Sequence, residues 1–395
     1  MESNYGEFAR LLFQTHYNNY ASPEEVKSKL YPLRDWVKGH IPPKLYRYRT
    51  FSDYSIEALK NDELWGSSIA TFNDPFECLP YYDLKKVNEY IDREFSVDII
   101  SQNFKDIASN NMPSKVLSAF PKELVEALST GKMKIPTNDQ LSEIMISIKA
   151  QLINYWRDNM TELEQLFFKE IVFNASMYHI ACFSETNLDN LMWSHYAESH
   201  TGFCIEYDIK SMICNCSESC EDITRCSNLM LNFLIAPVIY SDNRYDASSN
   251  FMSMLLNWTT GKLQLPISNI YYDMLSSIKF MLVKNQEWKY EKEWRLFHNP
   301  DPKEFVPHKK IEKFKPSAVY MGARIEPNNK ETLQRICKEK QIPCYPMVLQ
   351  FFSSKFECIP LNNSQFMSPQ DSVQTQHSAS TEFPPESEPR LCRQW

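Results

Sequence analysis

The chain has 395 residues, 43% of them hydrophobic, enough to bury one large core with insertions or two smaller cores. A formal charge of -8 argues against sequence-blind phosphate binding as the main task, and the seven glycines build neither a G-x-G-x-x-G turn nor a phosphate loop. Eleven cysteines, an odd number with no secretion signal and no long apolar run, are read as reduced thiols in a soluble cytoplasmic protein without a membrane partner.

Residues 1–40 are predicted as a helical lead-in, closed by Pro42 and Pro43. A strand over 45–50 puts Arg47 and Arg49 on one face and Tyr46 and Tyr48 on the other. Ser52 or Asp53 caps a helix carrying Ile56, Ala58 and Leu59, and a second strand begins near Gly66. Asn73-Asp74-Pro75 reads as a turn in which Asp74 bonds backbone N–H groups, with an acid role as the alternative. Residues 41–82 thus form the first part of an α/β core.

From 83 to 178 the period becomes helical, through Leu141, Leu152, Trp156, Leu163 and Phe167, and predicts a helical insertion. Core sequence returns over 179–210, with a strand at 179–184 and a helix from about 190 to 200 that Gly202 terminates. On that helix Met192, His195, Tyr196 and Ser199 share a face. His195 is a candidate catalytic group, or a histidine packed among aromatics.

Residues 211–283 read as a second insertion, with a strand over 235–240 and helices near 249–258 and 267–283. Its Cys214, Cys216, Cys220 and Cys226 lack the paired C-x2-C knuckles of most structural zinc sites, which favours a flexible Cys/Ser-rich loop over a metal site. Core strands resume over 284–361, at 290–297, 318–322 and 345–352, with a helix near 328–340. The Ser-, Gln-, Pro- and Glu-rich stretch 362–395 is predicted to be a disordered tail. The fold class is α+β, with a mixed or antiparallel β core and two mostly helical insertions.

The densest stretch is Trp288-Lys289-Tyr290-Glu291-Lys292-Glu293-Trp294-Arg295-Leu296-Phe297. Strict alternation puts Glu291, Glu293 and Arg295 on one face of a strand, and Lys292, Trp294 and Leu296 on the other. Two carboxylates one repeat apart perturb each other's pKa, and a guanidinium beside them makes a catalytic or ligand-orienting face. The alternative is a set of ion pairs that only stabilises the fold.

The opening L-Y-R-Y-R, F-N-D-P-F-E, C-F-S-E, W-S-H-Y-A-x-x-H-x-G-F-C-I-E-Y and W-x-Y-E-K-E-W-R together resemble the bacterial family of domain of unknown function 2971. A second resemblance is to the ADP-ribosyltransferase superfamily, whose split β fold binds NAD without a glycine-rich loop. That resemblance implies NAD as substrate and ADP-ribosyl transfer or NAD hydrolysis by an accessory or antiviral defence protein, with an unknown protein or nucleic acid, or water, as acceptor. It implies Glu293 as catalytic carboxylate, Glu291 as helper, and Ser67 or Ser68 supporting nicotinamide. Arg47 or Arg49 would hold the pyrophosphate or anchor the adenosine half, Arg47 counting also among the catalytic residues, and Tyr48 or Tyr46 would stack on nicotinamide, with Tyr196 and Arg295 completing the cofactor-binding set.

Two rival readings stay open. Asp74, Glu77, Glu206, Asp208 and the 287–289 step offer carboxylates and a lysine to a metal-dependent nuclease. A non-enzymatic sensor or scaffold would use the helical insertions to bind a partner.

Overall fold

Apolar faces on the two lead-in helices, α1 (Tyr5–Gln14) and α2 (Pro23–His40), bring Phe8, Leu12, Leu33 and Trp36 together and seat them on the sheet. Ser22 caps α2 by accepting from the Glu25 N–H, and Pro23 fits the first turn, where its missing N–H costs nothing. These elements belong to a computed structural model that divides into Met1–Pro360 and Leu361–Trp395. It describes residues 5–18, 21–94, 96–112, 114–117, 120, 122–209, 233–263, 273–298, 306–349 and 358–360. The four clustered cysteines and the predicted tail lie outside the described residues.

The protein is α+β, with a mixed, mostly antiparallel sheet. Strand β1 (Leu45–Arg49) leads into α3 (Asp53–Lys60), which Ser52 caps, and into β2 (Glu63–Ser67). The segment predicted as a helical insertion holds α4 (Leu84–Glu94), α5 (Val97–Ala108), α6 (Ser114–Leu117), α7 (Lys122–Ser129) and α8 (Asn138–Ser176). A capping box of Thr137 and Gln140 starts α8, and the buried Leu141, Met145, Leu152, Trp156, Leu163 and Phe167 repeat at alternating steps of four and seven. Asn159 leaves helical geometry and donates from its side chain to the Tyr155 carbonyl, which kinks this long helix.

The core resumes with β3 (His179–Ser184), α9 (Asn190–Tyr196) and β4 (Phe203–Tyr207). The helix stops at Tyr196, four residues short of the prediction, so Ser199 lies beyond its face. Three consecutive residues, Glu198, Ser199 and His200, take positive φ and turn the chain. Gly202 is needed for a different reason: a Cβ there would collide with the Arg49 carbonyl oxygen of β1.

The segment predicted as a second insertion contributes to the sheet itself. Its predicted single strand is two, β5 (Phe233–Pro237) and β6 (Ile239–Ser241), divided after Pro237. Then come α10 (Ser248–Leu263), α11 (Ser276–Met281) and β7 (Val283–Asn285). Phe251 and Leu255 of α10 bury against α4 and α8, so helices of both insertions share one core. The remaining elements are β8 (Glu293–His298), β9 (His308–Lys313), β10 (Ala318–Met321), α12 (Pro327–Lys340), β11 (Cys344–Leu349) and β12 (Cys358–Pro360).

Strand order is β12-β11-β10-β4-β1-β3-β2-β9, with β8 on β3 and β5 on β8. β8 occupies one edge of β3 along its whole length, from His179 opposite His298 to Ser184 opposite Glu293. The other edge of β3 therefore serves two strands, β1 at Ser184 and β2 at Ile180. Both run antiparallel to β3, and if both ladders continued they would compete for its middle, so the sheet forks there. Arg47 spans the fork, donating from its guanidinium to the Trp65 carbonyl of β2 at 2.7 Å. Below the fork, Phe183, Trp294, Leu296 and Phe297 are buried, each worth about 1.5–3 kcal/mol over an exposed side chain.

Candidate functional site

A cavity of about 420 Å³ fills the fork. It brings together Arg47, Tyr48 and Arg49 of β1, Ser67 of β2, His195 and Tyr196 of α9, and Glu291 and Glu293. Ser68 and Arg295 stand off its surface. Ser68 is fully buried, its hydroxyl without a hydrogen-bond partner among the described residues, and Arg295 is fully buried behind Glu293.

The predicted strand over 290–297 begins three residues late, because 286–291 forms a 3-10 turn. Asn285 caps that turn through its side chain, and Lys292 leaves it with φ 46 before Glu293 opens β8. Of the predicted trio only Glu293 and Arg295 lie on the strand, two residues apart on one face, while Glu291 ends the 3-10 turn. Lys284 of β7 gathers the two carboxylates instead: its ammonium lies 2.6 Å from Glu291 Oε2, 3.1 Å from Glu293 Oε2 and 3.4 Å from Glu77 Oε1.

Arg295 completes the network from below. Its Nε and Nη2 donate to the two oxygens of Glu293 at 2.9 and 3.0 Å, Nη2 also pairs with Glu77, and Nη1 donates to the Met281 carbonyl and to Cys78 Sγ. Three carboxylates thus share two cations, all less than a tenth exposed. At such depth charges persist only because each is paired and hydrogen-bonded.

The two glutamates differ in what surrounds them. Burial, reinforced by the neighbouring Glu293 charge, pushes the Glu291 carboxyl up to about 7, against the pull of Lys284 and Tyr196. Burial also opposes the Glu293 charge, but Arg295 and Lys284 outweigh it and hold that carboxyl well below the usual range. Cys182 adds a donor to Glu293, and its own thiol is pushed up by burial first and by Glu293 second. Tyr196 donates to Glu291 Oε1 at 2.6 Å and accepts from Asn73 Nδ2 at 3.4 Å, which links the Asn73 turn to the acid.

The β1 side of the cavity carries the opposite charge. Arg49 is lowered to about 10 by burial and then by the adjacent Arg47 charge, and burial likewise lowers Arg47. Among the described residues neither guanidinium meets a carboxylate in an ion pair. Tyr48 faces away from them, packed edge-on to Trp193 at 5.2 Å with its hydroxyl on the Thr186 carbonyl. His195 is exposed, its ring 6.4 Å from those of Tyr196 and Tyr290, and Ser67 Oγ lies 3.2 Å from His308 Nδ1.

The carboxylates named for a metal do not gather. Asp74 accepts from the Phe76 N–H and from Trp288 Nε1, Glu77 is in the ion network, and Glu206 lies with Lys44, Ser317 and Tyr320. Among the described residues no three His, Cys, Asp or Glu side chains are arranged to hold a metal ion. Asp74 is a turn residue, as its Asn-Asp-Pro context predicts.

Lys284 and Glu77 lie outside the alternating stretch 288–297 that pointed to the glutamates. One signal was on the page: Lys284 ends the apolar run Phe280-Met281-Leu282-Val283, and a lysine buried there needs acids brought from elsewhere in the chain.

The class defined so far is an α+β protein with a charged cavity in a forked sheet. Residues 192–296 match a family model described as Protein of unknown function (DUF2971), and over that span the chain is similar to that family. The match includes His195, Tyr196, Lys284, Glu291, Glu293 and Arg295, and ends short of β1 and β2 on the N-terminal side. No curated protein and no solved structure matches the chain. Among the described residues no helix is long and apolar enough to cross a membrane.

Proposed function

We propose that the fork cavity binds NAD and catalyses ADP-ribosyl transfer or NAD hydrolysis. The observation that carries this reading is the polarity of one cavity: Arg47 and Arg49, without acid partners among the described residues, face a site whose other wall carries Glu291. Two guanidiniums one strand-repeat apart suit a pyrophosphate, which accepts bidentate hydrogen bonds from each. The volume lies in the range of small-molecule sites. With no P-loop or Rossmann turn in the sequence, the ligand is held by side chains.

In the reaction the C1′–N bond of the nicotinamide ribose breaks, and its electron pair stays on the pyridine nitrogen, so nicotinamide leaves neutral. An acceptor oxygen, from water or from an unknown protein or nucleic acid, bonds to C1′ and gives up its proton. Glu291, titrating near neutrality, is suited to take that proton. Glu293 is held ionised by Arg295 and Lys284, and supplies fixed negative charge near the developing oxocarbenium ion. The roles implied by resemblance are thus redistributed: Glu291 exchanges the proton and Glu293 sets the field.

The test is nicotinamide release from NAD by the purified protein beside Glu291→Gln and Arg49→Met. Release that both substitutions reduce at least tenfold, with folding unchanged by circular dichroism, supports the reading. Release that ignores both substitutions, or an absence of release together with an absence of NAD binding, removes it.

A further inference from the structure

A second and larger cavity, about 860 Å³, backs onto the fork cavity and contains none of the residues assigned to NAD from sequence. The wall between them is one residue thick, because neighbours alternate sides. Glu291 and Glu293 face the smaller cavity and Lys292 the larger; Ser184 faces the smaller and Glu185 the larger. The two chains of the wall are stitched together, Ser184 Oγ donating to the Glu291 carbonyl at 2.7 Å and Glu185 N–H to the Lys292 carbonyl at 3.1 Å. Tyr240 crosses it: the residue lines the larger cavity, and its hydroxyl accepts the Glu293 N–H at 2.8 Å.

The lining is cationic and aromatic. Arg244, Lys289 and Lys292 are exposed, and among the described residues none of them forms an ion pair. The acids of the lining are already engaged: Asp246 is paired with Lys86, Asp273 with Lys279 and His16, and Glu185 accepts from Trp294 Nε1 at 2.7 Å. Positive charge is therefore in surplus. Phe13, 42% exposed, stands 6.0 Å from Tyr245 with the rings near parallel, which offers apolar faces beside the cations. Cations attract phosphate, and aromatic faces attract a planar base.

We infer that the larger cavity binds a nucleoside phosphate, and that its occupancy is transmitted through Lys292 and Tyr240 to the Glu291–Glu293 pair. The inference does not depend on the NAD reading of the smaller cavity, since it concerns binding and not turnover.

The experiment is calorimetric titration with ADP of the wild type and of Arg49→Met, in which the fork cavity has lost a cation, with inorganic phosphate in parallel. In the Arg49→Met background, Arg244→Ala and the pair Lys289→Ala with Lys292→Ala are added; both alter exposed side chains, and unchanged melting temperatures verify folding. ADP binding retained in Arg49→Met, weakened at least tenfold by either further change and absent for phosphate alone, is the expected result. The apparent pKa of Glu291, followed by carboxyl ¹³C NMR, is expected to shift when ADP is added to Arg49→Met. The inference is overturned by loss of ADP binding in Arg49→Met, by binding indifferent to Arg244 and the lysines, by equal binding of phosphate, or by an unmoved Glu291 titration. Failure of the NAD reading would show differently, as an absence of nicotinamide release with this ADP site intact.

Discussion

The two ends of the fork cavity handle charge in opposite ways. At the Glu291 end three carboxylates and two cations are closed upon one another, with Arg295 fully buried and bonded to two acids, a carbonyl and a thiol. At the β1 end Arg47 and Arg49 lie one strand-repeat apart; burial lowers both, the Arg47 charge lowers Arg49 further, and among the described residues neither meets an acid in an ion pair. A closed network is what buried charge requires to exist at all, so its presence speaks first for stability. Unpaired charge facing a cavity does nothing for stability and leaves its hydrogen-bonding capacity for a ligand. Substitutions at the two ends should therefore separate folding from binding.

The largest effect is expected at Arg295. Arg295→Met leaves Glu293 and Glu77 buried against Lys284 alone, and breaking a buried pair in this way costs about 3–5 kcal/mol. Urea unfolding should show that loss in the midpoint with little change in slope. A loss under about 1 kcal/mol would mean that the closed end is hydrated and the contrast between the ends is false.

The next effect is a pH dependence at Glu291. Its folded pKa, about 7, lies above the ordinary carboxylate value, so between those two pH values the folded state binds more protons than the unfolded state. Its contribution to stability is fully present below the unfolded pKa and is lost as pH rises through 7, with a slope of at most about 1.4 kcal/mol per pH unit. Glu291→Gln should remove that slope. Glu293, shifted the other way, adds stability that is present above its unfolded value and lost on acidification. A wild type whose stability between pH 5 and about 7 matches Glu291→Gln in slope would place Glu291 in water.

Tyr196→Phe is expected to act more gently. It removes one donor from Glu291 and costs about 1 kcal/mol, and the Glu291 pKa should rise further because that hydrogen bond favours the charged form. Carboxyl ¹³C NMR of the variant checks the direction, and a fall would refute the arrangement.

The contrast between the ends also marks what the sequence could disclose. The β1 end was legible because it is local: L-Y-R-Y-R alternates, and a strand sends Arg47 and Arg49 to one face wherever it lies in the sheet. The helical insertion was legible for the same reason, the apolar spacing of α8 being a property of one segment. The closed end was only half legible. Glu291, Glu293 and Arg295 were named, but strand alternation relates only Glu293 and Arg295 on β8, since 286–291 is a 3-10 turn and Lys292 reverses out of it. The three meet because Lys284 and Glu77 arrive from other parts of the chain, and no window of sequence contains such a convergence. Ser68 shows the same limit from the other side: beside Ser67 in sequence, it is buried away from the cavity. The fork itself follows from β3 giving one edge to two strands, a fact of pairing that no periodicity encodes.

The smallest expected effect on stability belongs to Arg49→Met, and it bears most on function. Among the described residues Arg49 forms no ion pair to lose, and its charge is opposed by burial and by Arg47, so replacement with an unbranched apolar chain should change folding stability by no more than about 0.5 kcal/mol. The same substitution removes half of the paired guanidinium face on β1, and a pyrophosphate held by two forks should then bind at least tenfold more weakly. Titration of NAD into both proteins reads the second effect and urea unfolding the first. Unchanged stability with lost binding is the pattern of a ligand-facing cation. A loss of stability comparable to that of Arg295→Met would mean that Arg49 is structural after all, and the cavity would then have no open end.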